Sequence, residues 1–195
     1  MATLDLTTLA RLRTFGGISG NATETDAVLS SIITYVSQKF EQYCSRQFLI
    51  QADTERRNLR GSLVPVVRCP VVSVESVRAS VSGRSSELSA LSSSQYEIAP
   101  GGNAVRLWDV PAGSLVEVSF TGGLAADTAA IITDHPVLEG ACKLQSLNLW
   151  QRHKSPDKTG LTIVSGDTSW EGQYEMLKDV KRDLDQNYNN RHRFL

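Results

Sequence analysis

From the N-terminus, apolar residues recur at intervals of three: Leu6, Leu9, Leu12 and Phe15 follow Asp5, and Gly16-Gly17 closes the run. This spacing predicts a short helix with one buried face, stopped by glycine. Thr23-Glu24-Thr25-Asp26 is a second start signal, since a hydroxyl accepts from free N–H groups and early acids oppose the helix dipole. Leu29, Ile33, Val36, Phe40 and Tyr43 then repeat at helical spacing, which predicts the strongest helix of the chain, roughly five turns long. After Arg46 the period shortens. FLIQADTERRNLRG, LVPVVRCPVVSVESVRAS, QYEIAPGGNAVRLWD and SLVEVSFTGG read as strands. Val71, Val72, Val74 and Val77 suit a pleated surface, whereas Pro65 and Pro70 cannot donate to a ladder and mark edges or strand starts. PGGN at 100–103, between Tyr96/Ile98 and Val105/Leu107, predicts a hairpin turn. SVSGRSSELSALSSS at 80–94 is Ser-rich and unpatterned, and is expected as a mobile loop.

Helical spacing returns at Asp134-His135-Pro136, with Asp134 the expected N-cap and proline in the first turn, where its missing N–H costs nothing. Val137, Leu138, Ala141, Leu144 and Leu147 form its apolar stripe, and Arg152, His153 and Lys154 oppose the negative end of the helix. KSPDKTG breaks the helix, GLTIVSGDTSWEG is a linker or short strand, and a last helix from Glu171 carries Tyr174, Leu177, Val180, Leu184 and Tyr188. The tail NNRHRFL is basic. The order predicts an α+β fold, a small bundle of about four helices with a β-rich lobe inserted between the second and third. The expected divisions are 1–46 for the first helices, 47–124 for the lobe, and 125–195 for the later helices, linker and tail.

Composition limits what such a fold can do. A chain of 195 residues, 41% hydrophobic, can bury one ordinary core. Lys plus Arg total 20 against 21 Asp plus Glu, a net charge of -1, so no overall field would hold the protein on nucleic acid or an anionic membrane. No stretch approaches the roughly 20 apolar residues of a membrane-spanning helix. MATLDLTTLARL lacks a basic leader followed by an apolar run, so the expectation is a soluble, non-secreted protein. Cys44, Cys69 and Cys142 are odd in number and lack CxxC or Cys/His spacing, which argues against a disulfide framework or a zinc site.

Chemistry is sparse along the chain. A nucleophilic cysteine needs a base and sits at a helix N-terminus or beside a cation. Cys44 ends its helix, and His135, His153 and His192 are all distant from it in sequence, so it reads as a buried packing thiol with Phe48 sealing the junction. The glycine pairs at 16–17, 101–102 and 122–123 match neither GxxxxGK[ST] nor GxGxxG and read as turns and helix stops. Asp179, Asp183 and Asp185 alternate with Lys178, Lys181 and Arg182, as on a solvated helix face. Glu55-Arg56-Arg57 and Arg60 read as a polar strand or a subunit contact. No catalytic, cofactor-binding or metal-binding residue is expected. The tail, with Arg191, His192, Arg193, Phe194 and Leu195, is either frayed or a peptide that orders on a partner.

Several stretches carry a resemblance: the Leu-rich first helix, the long helix closing in YVSQKFEQYCSRQF, then TERRNLRG, VPVVRCPVVSVESV, YEI with VRLW, and VEVSFTGG. Together they resemble the head-tail connector, or adaptor (head completion), proteins of long-tailed bacteriophages, over about residues 5–150 and more loosely 171–195. The resemblance implies a structural virion protein of the phage neck, present in the host cytoplasm before assembly, with no enzymatic activity and no cofactor. It implies a homo-oligomeric ring, dodecameric by expectation, that sits beneath the portal protein, extends the DNA channel and docks the next neck or tail-completion protein. DNA would pass without sequence-specific binding, and no membrane is involved. Near-neutral charge suits such a channel, because each phosphate neutralised adds salt-dependent grip. The portal-docking tail implied here is Tyr188, Arg191, His192, Arg193, Phe194 and Leu195. A neck stopper or tail-completion protein, an enzyme using Cys44 or Cys142, and a DNA-binding regulator are the alternatives.

Overall fold

The structure is a computed structural model that describes residues 4–19, 23–80, 87–154 and 175–188. The chain divides into two compact units: a helical unit from the stretches up to Cys44 and from Thr128 onward, and a β unit, Ser45–Asp127. Among the described residues are five α-helices and two antiparallel sheets, an α+β fold whose β-rich region lies between the second and third helices.

In the helical unit, α1 (Leu9–Gly16) starts later than the sequence pattern places it. Thr8 is the N-cap, its hydroxyl accepting from the Arg11 N–H, and Gly17 closes the helix at φ 58°. Asp5 instead ties other elements down: its carboxylate accepts from the Thr34 hydroxyl at 2.9 Å, and its carbonyl from the Thr128 hydroxyl at 2.7 Å. Leu6 is therefore buried ahead of the helix rather than on it. α2 (Thr23–Cys44) begins at the expected start signal and buries Leu29, Ile32, Ile33, Val36 and Phe40. It ends as Ser45 enters the left-handed region at φ 52°.

The expected N-cap Asp134 is instead the last residue of a separate short helix, α3 (Thr128–Asp134). α4 (Pro136–Lys154) follows, with the His135 carbonyl accepting from the N–H groups of Leu138 and Glu139. Seven residues, TAAIITD, are too few to show a period, so α3 has no sequence signature beyond its apolar content. α5 (Lys178–Asn187) is the last helix among the described residues, and Val180 and Leu184, with Tyr188 just beyond it, are its buried stripe. Tyr174 and the linker at 155–174 lie outside the described residues.

In the β unit the strands are β1 (Gln51–Asn58), β2 (Leu63–Pro65), β3 (Val71–Ala79), β4 (Ser89–Ala90), β5 (Tyr96–Ile98), β6 (Ala104–Leu107) and β7 (Leu115–Gly122). They form a four-stranded sheet of order β1-β7-β3-β4 and a three-stranded sheet of order β2-β6-β5. β7 alternates strictly, burying Val116, Val118, Phe120 and Gly122, the period of a strand with one face on a core. The side chains of Val116, Val118 and Phe120 share an apolar cluster with Val64, Val66, Val77, Val105 and Leu107, which brings the two sheets together. Each such buried side chain contributes roughly 1.5–3 kcal/mol over leaving it exposed. The PGGN turn joins β5 to β6 as its residues predict, with Gly101 at φ 92° and Gly102 at φ 68°.

Of the Ser-rich stretch expected as a loop, 81–86 lie outside the described residues and the remainder differs from the expectation. Ser89–Ala90 pairs with Arg78 and Ala79 of β3, and Ser93–Gln95 forms a 3-10 turn whose capping box joins Ser92 and Gln95. Serines that lack an apolar period can still satisfy backbone groups locally, which is what orders this turn.

β1 is an edge strand with an unusual inner face. In register with β7, Asp53, Glu55 and Arg57 stand opposite Phe120, Val118 and Val116, so three charged residues share the face that carries the core. They are satisfied nearby: Asp53 pairs with Arg68 at 2.9 Å, Glu55 accepts from the Val67 N–H at 3.2 Å, and Arg57 pairs with Glu55 at 3.1 Å.

Candidate assembly interface

The expected docking tail begins inside the helical unit. Tyr188 is only 9% exposed, its N–H donates to the Leu184 carbonyl at 2.9 Å, and its ring stands edge-on to His135 at 6.1 Å. The tail therefore starts from a packed residue; Arg191, His192, Arg193, Phe194 and Leu195 lie outside the described residues. Polar contacts fix α5 as well. The Tyr43 hydroxyl donates to Asp185 at 2.7 Å, and Gln145, fully buried, donates to the Glu175 carbonyl at 3.0 Å and accepts from the Leu177 N–H at 2.9 Å. A buried amide left unmatched is costly, so these two bonds select one position for the start of α5. Asp179 and Asp183 pair with Arg182 at 3.2 and 3.8 Å, but Asp185 faces Tyr43, which a solvated-face reading of all three acids misses.

The three thiols are all buried. Burial, the largest effect, pushes the Cys142 thiol up to about 12 against weaker hydrogen bonds from Ser146 and Ser37. A thiol so placed holds its proton at neutral pH and is a packing group. Cys44 is fully buried at the end of α2, and Phe48 is fully buried in the β unit. Among the described residues no group of three or more His, Cys, Asp or Glu side chains could hold a metal ion, and no helix is long and apolar enough to cross a membrane.

One charged cluster went unread in the sequence. Glu139 of α4 is 2% exposed and receives Arg11 Nε at 2.5 Å, Arg11 Nη2 at 3.1 Å, Lys143 Nζ at 3.2 Å and the Thr7 hydroxyl at 3.2 Å. Burial pulls its pKa upward, but the hydrogen bonds from Arg11 and Lys143, with their charges, outweigh that and hold it below the usual carboxylate range. The same bond, with its charge, raises the Arg11 guanidinium. The i, i+4 spacing of Glu139 and Lys143 was visible; the partner from α1, 128 positions away, was not.

The surfaces left for partners are partly apolar. On the three-stranded sheet, exposed Leu63 is aligned with Arg106, which pairs with Glu97 at 3.0 Å; exposed Ile98 is aligned with Val105 and so belongs to the other face, and exposed Trp108 follows the end of β6. The opposite face of the larger sheet carries Thr54, Ser119, Thr121 and Glu75 in cross-strand hydroxyl and carboxylate contacts, and Glu117 pairs with Arg78 at 3.8 Å. In the helical unit, Phe15, Val137 and Leu144 are exposed although spacing assigned them to buried stripes. α4 is apolar on more than one side, so spacing alone cannot say which side is covered.

No protein-family profile and no curated protein matches this sequence. Solved structures do. A chain in the neck of an empty GTA particle computed with C6 symmetry matches with TM-score 0.58 and 17% identity, over 91% of this chain and 89% of that one. A chain in the virion of a native gene transfer agent (GTA) particle matches with TM-score 0.60 and 15% identity, over 97% and 92%. A chain in the neck of a native GTA particle computed with C12 symmetry matches with TM-score 0.52 and 16% identity, over 94% of each. At these identities what is shared is the fold, and it agrees with the connector resemblance in the sequence.

Proposed function

We propose that this chain is a structural subunit of a virion neck, a head-tail connector (adaptor) that assembles as a ring beneath a portal, continues the DNA channel and presents a surface to the next neck or tail-completion protein. The observation that carries the reading is the likeness of fold to chains in two neck structures, over about nine-tenths or more of every chain compared. Those particles were computed with C6 and C12 symmetry, and a cyclic ring needs one face of a subunit to meet a different face of its neighbour. Two further features fit. A net charge of -1 leaves little to grip passing phosphates. Exposed Trp108, next after β6, and Arg106 of that strand are of the residue types that anchor interfaces. Tyr188, Arg191, His192, Arg193, Phe194 and Leu195 are proposed as the portal-docking tail, with packed Tyr188 as its base. A thiol enzyme finds no support in three buried cysteines.

The test is electron microscopy of the full chain mixed with the portal encoded beside it. Rings of this protein stacked on one end of the portal are expected. A mixture in which portal rings stay bare, at concentrations where both proteins are folded, overturns the reading.

A further inference from the structure

The outer seam of α1 and α4 exposes apolar and cationic groups together. Phe15 is 46% exposed and Leu144 43%. Lys143 Nζ stands 5.4 Å from the centre of the Phe15 ring. Gly16 lets the two helices approach closely, since a Cβ there would lie 2.9 Å from Leu147 Cδ1. Two shallow grooves share the seam. One, of about 390 Å³, is lined by Ala10, Arg11, Thr14, Phe15 and Lys143; the other, of about 320 Å³, passes Gly16, Leu147, Trp150, Gln151 and Lys154.

Charge decides what fits there. No carboxylate lines either groove among the described residues. Glu139, the acid bonded to both Arg11 and Lys143, is itself buried. The charge facing solvent is therefore positive, from Arg11 with 48% of its side chain exposed and from exposed Lys154. We propose that this seam is a docking site for an acidic amphipathic helix of another protein, which lays apolar side chains on Phe15 and Leu144 and carboxylates against Arg11 and Lys154. Helix-in-groove recognition reads side chains at i, i+3, i+4 and i+7 in this way. A nucleic acid fits less well, because phosphates gain nothing from Phe15 and Leu144. The last described helix of a second copy is a poor fit, because on α5 Asp179 and Asp183 alternate with Lys178, Lys181 and Arg182. The inference does not depend on the ring reading.

The probe is a fluorescein-labelled synthetic helix of about 18 residues, long enough to be helical on binding, with leucines along one face and glutamates along the other. Binding to the full chain is followed by fluorescence anisotropy. Saturable binding is expected, weakened about tenfold by Leu144→Ser and by Lys154→Glu, both at exposed positions, and weakened by added salt. The same helix with lysines for glutamates is expected not to bind. The proposal is overturned by no saturable binding of the acidic helix, by equal binding of the lysine version, by affinities unchanged in both variants, or by short duplex DNA competing for the seam. Thermal melts by circular dichroism show that each variant is folded; if one is not, the other carries the test.

Discussion

Glu139 is a buried carboxylate with two cationic partners and a hydroxyl, and its worth is measurable. Glu139→Ala leaves Arg11 and Lys143 without their counter-charge, and a loss of about 1–3 kcal/mol in urea unfolding is expected. The pH dependence has a definite sign. The pKa of Glu139 is held below its ordinary value in the folded state, so its contribution is present above the unfolded pKa, about 4.3, and is lost as pH falls through the folded value. Stability of the wild type should therefore drop more steeply than that of Glu139→Ala on acidification below about pH 4.3; parallel curves would show that the cluster is energetically idle. The thiols give a second expectation. With Cys44, Cys69 and Cys142 all buried, iodoacetamide near pH 8 should leave the native protein unlabelled in intact-mass spectra and label it fully in denaturant. Rapid native labelling would mean that one site opens.

At the scale of elements, α5 is held within its own unit by Val180, Leu184 and Tyr188, all of which precede residue 189. Deleting 189–195 should therefore leave the melting temperature within about 2 °C, the shift of a change under 1 kcal/mol in a chain of this length, while abolishing portal binding in a pull-down. Retained binding would remove the docking role of the tail. How legible each element was depended on its period. α2 and β7, with Leu29 to Phe40 on one and Val116, Val118 and Phe120 on the other, could be read directly, because one face of each is buried. α3 and β4 could not: seven and two residues hold no period, and their places are set by contacts with Asp5 and with β3. The outer face of α4 was misread for another reason. Leu144 has the right spacing to be buried, but among the described residues no element covers it. Candidate site residues suffered most, since the partners of Glu139 and Gln145 come from stretches far away in sequence.

For the whole molecule, the proposed role makes assembly conditional. The isolated chain should sediment as a monomer or weakly associating species and close into rings when portal is added, which analytical ultracentrifugation of the two proteins apart and together will measure. A tight dimer that turned over a small substrate would contradict both halves of that expectation. The inner face of β1 bears on how such a chain stays single. An eight-residue edge strand invites a neighbour's strand to zip onto it. Here Asp53, Glu55 and Arg57 are already committed to Arg68, Val67 and one another on the core side. An intruding strand would have to line apolar groups against that charged strip, or break its bonds. On the proposed role, freshly made copies crowded together would thus be spared fibrous clumping while they wait for their scaffold.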